Sequence, residues 1–237
     1  MRASRPVLLA LACVVALAAG AGAIALAQSV PITLRADVQV APNKAGTPSE
    51  PQGVRLSGTA WLDLPGDFEP PLVQNVDVWI GPGGRYNGGK HAACSLSVIS
   101  RGGPSKCPSR SLMGRGTATA SADTVPTYPK ITIVNGGAST VYFYTVMTNP
   151  ARVQAPVIAT VRRASGKWAY KVQATIPRNL QIVAGVPILL KKLQMAAGRG
   201  DWIATTSCPR DKRWRYHAEV TFKTGQVVKY DGSVPCR

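Results

Sequence analysis

Proton transfer near neutral pH asks first for histidine, and this chain of 237 residues has two, His91 and His217. A Ser-His-Asp centre would need one of them to shuttle a proton between a hydroxyl and a carboxylate. His91 closes the stretch Gly88-Gly89-Lys90-His91, just before Cys94, and His217 falls on the polar side of an alternating run over 213–222. No G-x-S-x-G turn, which would present a nucleophilic serine, accompanies either one. Both read as exposed polar side chains, and no catalytic residue is assigned. The rival reading is a secreted hydrolase using His91 or His217 with loop carboxylates. Paired carboxyls are the other acid–base signal. The one close group, Asp63, Asp67 and Glu69, could also offer oxygens to calcium, but the spacing of an EF-hand loop is absent and the composition is that of a solvated loop. The glycines over 81–89 end in Gly89-Lys90-His91, where a phosphate-cradling loop needs Gly-Lys-Ser/Thr opening a helix. Turn geometry accounts for them. Neither nucleotide, cofactor nor metal binding is expected.

Charge is the stronger signal. Lys and Arg number 28 against 11 Asp and Glu, a formal net charge of +17. Arg210, Lys212, Arg213 and Arg215 crowd around Trp214 and Tyr216 and form the candidate anion-binding group. Lys191-Lys192, Arg162-Arg163, Lys167 and Lys171 extend the potential for a positive face. Such a potential attracts anionic polymers, although salt screens it over about 8 Å at physiological strength. No recognisable nucleic-acid module is present. The expected partners are therefore anionic envelope polymers of the teichoic type, or acidic lipid headgroups. The plain alternative is that the charge keeps a secreted protein soluble.

The elements that must position these residues alternate with period two. Residues 32–40 switch between apolar and polar without a break, and strands are also predicted over 54–62, 76–80, 93–99, 116–121, 131–134, 141–146, 188–195, 213–222 and 227–234. Hairpins are predicted from 157–163 to 168–176 around Ser165-Gly166, and across 223–226. Residues 177–183 suit a single helical turn. In the run 213–222, Trp214, Tyr216, Ala218, Val220 and Phe222 share the core face, leaving Arg213, Arg215 and His217 on the other. With 45% hydrophobic and 16% charged residues the composition is that of a folded chain, and 23 Gly and 19 Pro favour turns over long helices. About a dozen short strands at roughly ten-residue spacing point to an all-β sandwich or barrel. We expect an antiparallel β-sandwich of jelly-roll or immunoglobulin-like form with at most one short helix. It occupies 28–237 as a single domain. The alternative places subdomains at 28–123 and 130–237, joined by the Pro- and Thr-bearing segment 123–129.

The beginning of the chain reads as a signal peptide over 1–27. Arg2 and Arg5 precede an uncharged run from 6 to 26, and Ala25-Leu26-Ala27 forms an A-x-A cleavage pattern. An uncleaved N-terminal anchor is the alternative. Cys13 reads as an ordinary apolar residue of the signal. Removing the first 27 of 237 residues leaves 210, and losing Arg2 and Arg5 lowers the formal charge from +17 to +15. Four cysteines remain, Cys94, Cys107, Cys208 and Cys236, which in an exported chain read as two disulfides. Three pairings are open; the local one, Cys94–Cys107 with Cys208–Cys236, is favoured because each pair is near in sequence and brackets turn-rich residues. No C-x-x-C pair argues for zinc.

Three sets of residues carry a resemblance. Ala41-Pro42-Asn43-Lys44-Ala45-Gly46-Thr47, Gly103-Pro104-Ser105-Lys106-Cys107-Pro108 with Gly114-Arg115-Gly116-Thr117-Ala118, and Thr205-Thr206-Ser207-Cys208-Pro209 resemble a group of uncharacterised exported proteins from high-G+C Gram-positive bacteria. The resemblance implies export and the local cysteine pairing, and no catalytic residue. The expected protein is an exported, disulfide-stapled, non-enzymatic binding or structural protein of the cell exterior.

Overall fold

The computed structural model describes residues 31–237; the expected signal peptide, its cleavage point and Cys13 lie outside the described residues. The chain is all-β and antiparallel. Its strands are β1 (Thr33–Ala41), β2 (Gln52–Gly53), β3 (Arg55–Asp63), β4 (Val73–Ile80), β5 (Gly84–Tyr86), β6 (Leu112–Ala122), β7 (Val125–Thr127), β8 (Lys130–Asn135), β9 (Thr140–Met147), β10 (Val153–Arg163), β11 (Tyr170–Thr175), β12 (Ile182–Val183), β13 (Val186–Ala197), β14 (Ile203–Thr205), β15 (Arg213–Phe222) and β16 (Val227–Pro235). Two helices interrupt them, α1 (Leu96–Gly102) and the single turn α2 (Arg178–Gln181).

One continuous sheet runs in the order β1-β3-β13-β6-β8-β9-β10-β11-β4-β15-β16. It curls until β1 comes alongside β16, so the sheet is nearly closed and barrel-like. Near-closure leaves few unpaired edges. A small second sheet, β2-β14-β5, sits beside it. The segment 123–129 holds β7, which pairs with β6, and β13 from late in the chain lies between β3 and β6 from early in it. Strands from the two sides of that segment therefore interleave.

Alternation decides what is inside. Along β10, Ala155, Val157, Ala159 and Val161 are buried while Ile158, Thr160 and Arg162 are exposed. They meet Met113, Ile131, Ile133, Tyr170 and Trp202 in the main core. In β15 the face pattern read from the sequence holds: Trp214, Val220 and Phe222 are buried, and Phe222 is among the largest side chains with no exposed surface. A second core around Phe222 includes Leu34, Val73 and Val228, drawing both ends of the sheet together.

The disulfides are Cys94–Cys107 and Cys208–Cys236, with Cα separations of 5.2 and 5.8 Å. The first bridge organises an excursion on the outside of the barrel. There Cys94, Cys107 and Ile99 pack on Val134, Tyr142 and Tyr144 of β8 and β9. The strand predicted over 93–99 is not formed; this segment becomes α1. Ser95 caps the helix by accepting a hydrogen bond from the Val98 amide, Gly103 ends it at φ 68°, and only Ile99 is buried. Apolar residues at 94, 96 and 98 mimic period two, but a bridge that folds this stretch back on itself leaves no strand partner for it. The turn predicted over 177–183 appears as α2.

Candidate functional site

Asn135, the last residue of β8, is fully buried and is the hub from which the candidate site is built. Its amide nitrogen donates toward the carbonyl oxygens of Gly88, Ala92 and His91 at 2.9, 3.0 and 3.3 Å. Its amide oxygen accepts from Trp202 Nε1 and the Tyr86 hydroxyl, both at 3.1 Å. Tyr86 and Trp202 also meet edge to face, with centroids 5.6 Å apart. Burial pushes the Tyr86 phenol up to about 12, with the Trp202 hydrogen bond pulling the other way, so at neutral pH it stays a donor. Glycine is required at position 88: a Cβ there would lie 2.2 Å from the Gly137 carbonyl oxygen. These contacts fix the backbone of residues 88–92 against the barrel wall.

A second strap starts from the same place. Asn87 donates from its side chain to the Asp201 carbonyl at 2.7 Å and from its backbone to the Trp202 carbonyl at 2.9 Å. Asp201 in turn meets His91, with Oδ1 2.9 Å from Nε2. The loop 198–201 is thereby held facing the loop 88–92. Between them opens a cleft of about 490 Å³ lined by Lys90, His91, Ala92, Arg110, Arg199 and Gly200. Arg110 arrives from the far side of the first disulfide, on a 3-10 turn over Ser109–Ser111. Arg199 donates from Nη1 to the Ser109 carbonyl at 3.0 Å, tying the third cation to the second. Lys90 and Arg110 have no side-chain partner among the described residues. No serine, threonine or cysteine lines this cleft.

The basic group read from the sequence lies elsewhere, beside the second disulfide at the start of β15. Arg210, Lys212, Arg213 and Arg215 are all exposed. Arg215 is taken by Asp211, with Nη2 and Nε 2.7 and 3.0 Å from Oδ2, and these hydrogen bonds hold the Asp211 carboxyl below its ordinary value. Arg213 donates to Ser233 Oγ at 2.7 Å. Arg210 and Lys212 carry no side-chain partner among the described residues.

His217 is on the outer face as its register demands, but it is not freely exposed. Only 16% of its side chain is accessible, because it packs against Trp79 and Trp168 with centroids 5.2 and 6.0 Å away. Nδ1 faces Asp231 at 2.9 Å and Nε2 faces Glu219 at 3.1 Å. Both ring nitrogens thus meet carboxylates, where a triad histidine keeps one nitrogen for a hydroxyl. Burial pushes the Glu219 carboxyl up, yet hydrogen bonds from His217 and Lys229 outweigh it and hold the group below its ordinary value. Next door, Lys171 pairs with Asp77 at 2.7 Å and sits 4.4 Å over the Trp79 ring. The other Asp77 oxygen, Oδ1, is buried with no hydrogen-bond partner.

The loop carboxylates do not converge. Asp63 pairs with Arg35, while Glu69 accepts from Ser121 Oγ at 2.9 Å and Lys191 Nζ at 2.8 Å. Among the described residues no group of three His, Cys, Asp or Glu side chains is arranged to hold a metal ion. The glycine-rich stretch 81–89 contains β5 and a short 3-10 turn, which carries Lys90 to the cleft. A wider depression of about 690 Å³ crosses the outer face of β1, β3, β13, β6 and β8. Its charges are mixed, Asp37 with Arg115 and Lys130, so no single sign dominates it.

The two disulfides fit an extracytoplasmic location. Among the described residues no helix is long and apolar enough to cross a membrane. Compared with known protein families, with characterised proteins and with solved structures, the chain matches none of them.

Proposed function

We propose that the protein is exported and acts outside the cytoplasm as a non-enzymatic binding or structural protein that associates with anionic envelope polymers through its basic surface. The carrying observation is the excess of cations over carboxylates, a formal charge of +17, with Lys90, Arg110, Arg210 and Lys212 left without intramolecular partners among the described residues. Cations that are not neutralised at home project potential into solvent and concentrate polyanions. Export is supported by the basic, apolar and A-x-A succession of residues 1–27 and by an even set of bridged cysteines. The test is co-sedimentation with purified Gram-positive cell wall. The protein is retained at low salt and released near 1 M salt, where the screening length falls to about 3 Å. Retention that ignores salt, or no retention, overturns the reading.

A second reading, a secreted hydrolase, draws on the His91–Asp201 pair at the cleft. It requires ester or amide turnover that His91→Ala abolishes without loss of folding.

A further inference from the structure

We infer that the cleft between residues 88–92 and 198–201 is a discrete phosphate-binding site, formed by Lys90, Arg110 and Arg199 with His91 on its wall. This deepens the proposed association with anionic polymers and shares its premise that the ligand is an anion. Three cations converge here from three separate parts of the chain. Like charges gathered around one cavity repel one another, and a folded protein disperses or pairs them unless something outside compensates. Here compensation is missing: the nearby carboxylate, Asp201, is turned to His91, while Lys90 and Arg110 have no side-chain partner among the described residues.

The backbone that carries these cations is also held in place. The Cys94–Cys107 bridge brings its two Cα atoms to 5.2 Å, and Lys90 lies four residues before it while Arg110 lies three residues after it. Cross-linking the excursion at its base therefore draws these two charges together. Arg199 is joined to the same unit through the Ser109 carbonyl. Beneath Lys90, Asn135 fixes the carbonyls of Gly88, His91 and Ala92. Fixed backbone lowers the ordering cost of binding, so this arrangement differs from solvated lysines on a strand face.

Ligand class follows from donor count. Two guanidinium forks and an ammonium present more N–H groups than one carboxylate can accept, and Arg forks match the tetrahedral oxygens of phosphate. A cleft of about 490 Å³ has room for a phosphate with part of the chain that bears it. A recess with its cations around the wall suits a phosphate-bearing polymer strand entering it. A membrane surface would instead suit cations spread over one flat face.

The experiment uses the exported protein and titrates inorganic phosphate against it, following backbone amide shifts at Ala92 and Gly200 by NMR. Saturable shifts are expected there, acetate should bind at least about tenfold more weakly, and K90A/R110A/R199A should raise the phosphate Kd at least about tenfold. A charge-matched variant at exposed cations elsewhere, R152A/R178A/K223A, should bind like the wild type. Thermal melts confirm that both variants fold. Unchanged phosphate affinity in K90A/R110A/R199A overturns the site, and so does an equal loss in the charge-matched variant. Acetate binding as tight as phosphate overturns the ligand class. Soluble poly(glycerol phosphate) should compete for the same shifts; binding to phosphatidylglycerol vesicles without such competition overturns the polymer assignment. If the cleft fails while wall retention stays salt-sensitive, the broader reading survives alone; if phosphate saturates the cleft but the wall is not retained, only the broader reading falls.

Discussion

Replacing Asn135 by alanine removes a buried amide that serves both sides of the candidate site. Its oxygen accepts from Trp202 Nε1 and its nitrogen donates to Gly88 O, both in a region without solvent. Tyr86 keeps other acceptors in Gly137 O and Thr140 O at 2.9 and 3.1 Å. The carbonyls of His91 and Ala92 lie nearer the surface and can turn to water. Gly88 O keeps the His91 amide at 3.3 Å and Trp202 keeps the Tyr86 hydroxyl, so each loses one buried hydrogen bond rather than all of them. At about 1 kcal/mol for each lost bond, Asn135→Ala should destabilise the fold by about 2 kcal/mol. For a chain of this size that corresponds to a fall in Tm of roughly 6 °C. Urea unfolding followed by tryptophan fluorescence measures it directly, because Trp202 itself loses one of these hydrogen bonds. Asn135→Asp sharpens the test. It retains the acceptor for Trp202 but aims an oxygen at three carbonyls, so it too should be strongly destabilised at neutral pH. Acidification should return part of that loss, since a protonated carboxyl donates one hydrogen bond again. A loss below about 1 kcal/mol for Asn135→Ala would refute the view that the buried Asn135 amide organises this region.

Two further outcomes follow from the bridge and from the outer-face ion network. C94A/C107A should lose about 3 kcal/mol by the chain-entropy relation for a loop of this length, read by denaturant unfolding, and its phosphate titration should weaken even where the protein remains folded. Glu219→Gln should cost less than about 1 kcal/mol at pH 7, as partly exposed ion pairs do. The Glu219 carboxyl is held below its ordinary value in the folded state, so its contribution is present above the unfolded pKa near 4.5 and fades as pH falls through the folded one. The stability gap between wild type and variant should therefore close on acidification below about pH 4; a gap that widens there refutes the assigned direction.

The legibility of this chain in its sequence follows the range of the interactions concerned. Period-two alternation is local, so the strands and their inward faces, including Trp214, Val220 and Phe222, can be read directly. Cysteine pairing also follows from short separations, 13 and 28 residues. The reading fails at α1, where apolar spacing over 93–99 imitates a strand and the cap at Ser95 competes with it. It also does not reach Asn135, which lies one residue past the strand predicted over 131–134 and is followed by Gly136. Nothing nearby in sequence signals that its amide will be buried beneath a loop 43 to 47 residues earlier in the chain.

The cationic group at 210–215 stands out because its members are neighbours in the chain, yet Asp211 and Ser233 engage two of its four side chains. Lys90, Arg110 and Arg199 are scattered, unremarkable residues until a disulfide, a buried asparagine and a strap from Asn87 bring them to one cleft. The sequence by itself therefore determined most of the strands, their faces and the total charge, and favoured the local bridges, all of which depend on neighbours or on counting. Only the tertiary structure decided which charges remain unpaired and where they meet. Electrostatic interaction depends on distance through space, and barrel closure sets that distance independently of separation along the chain.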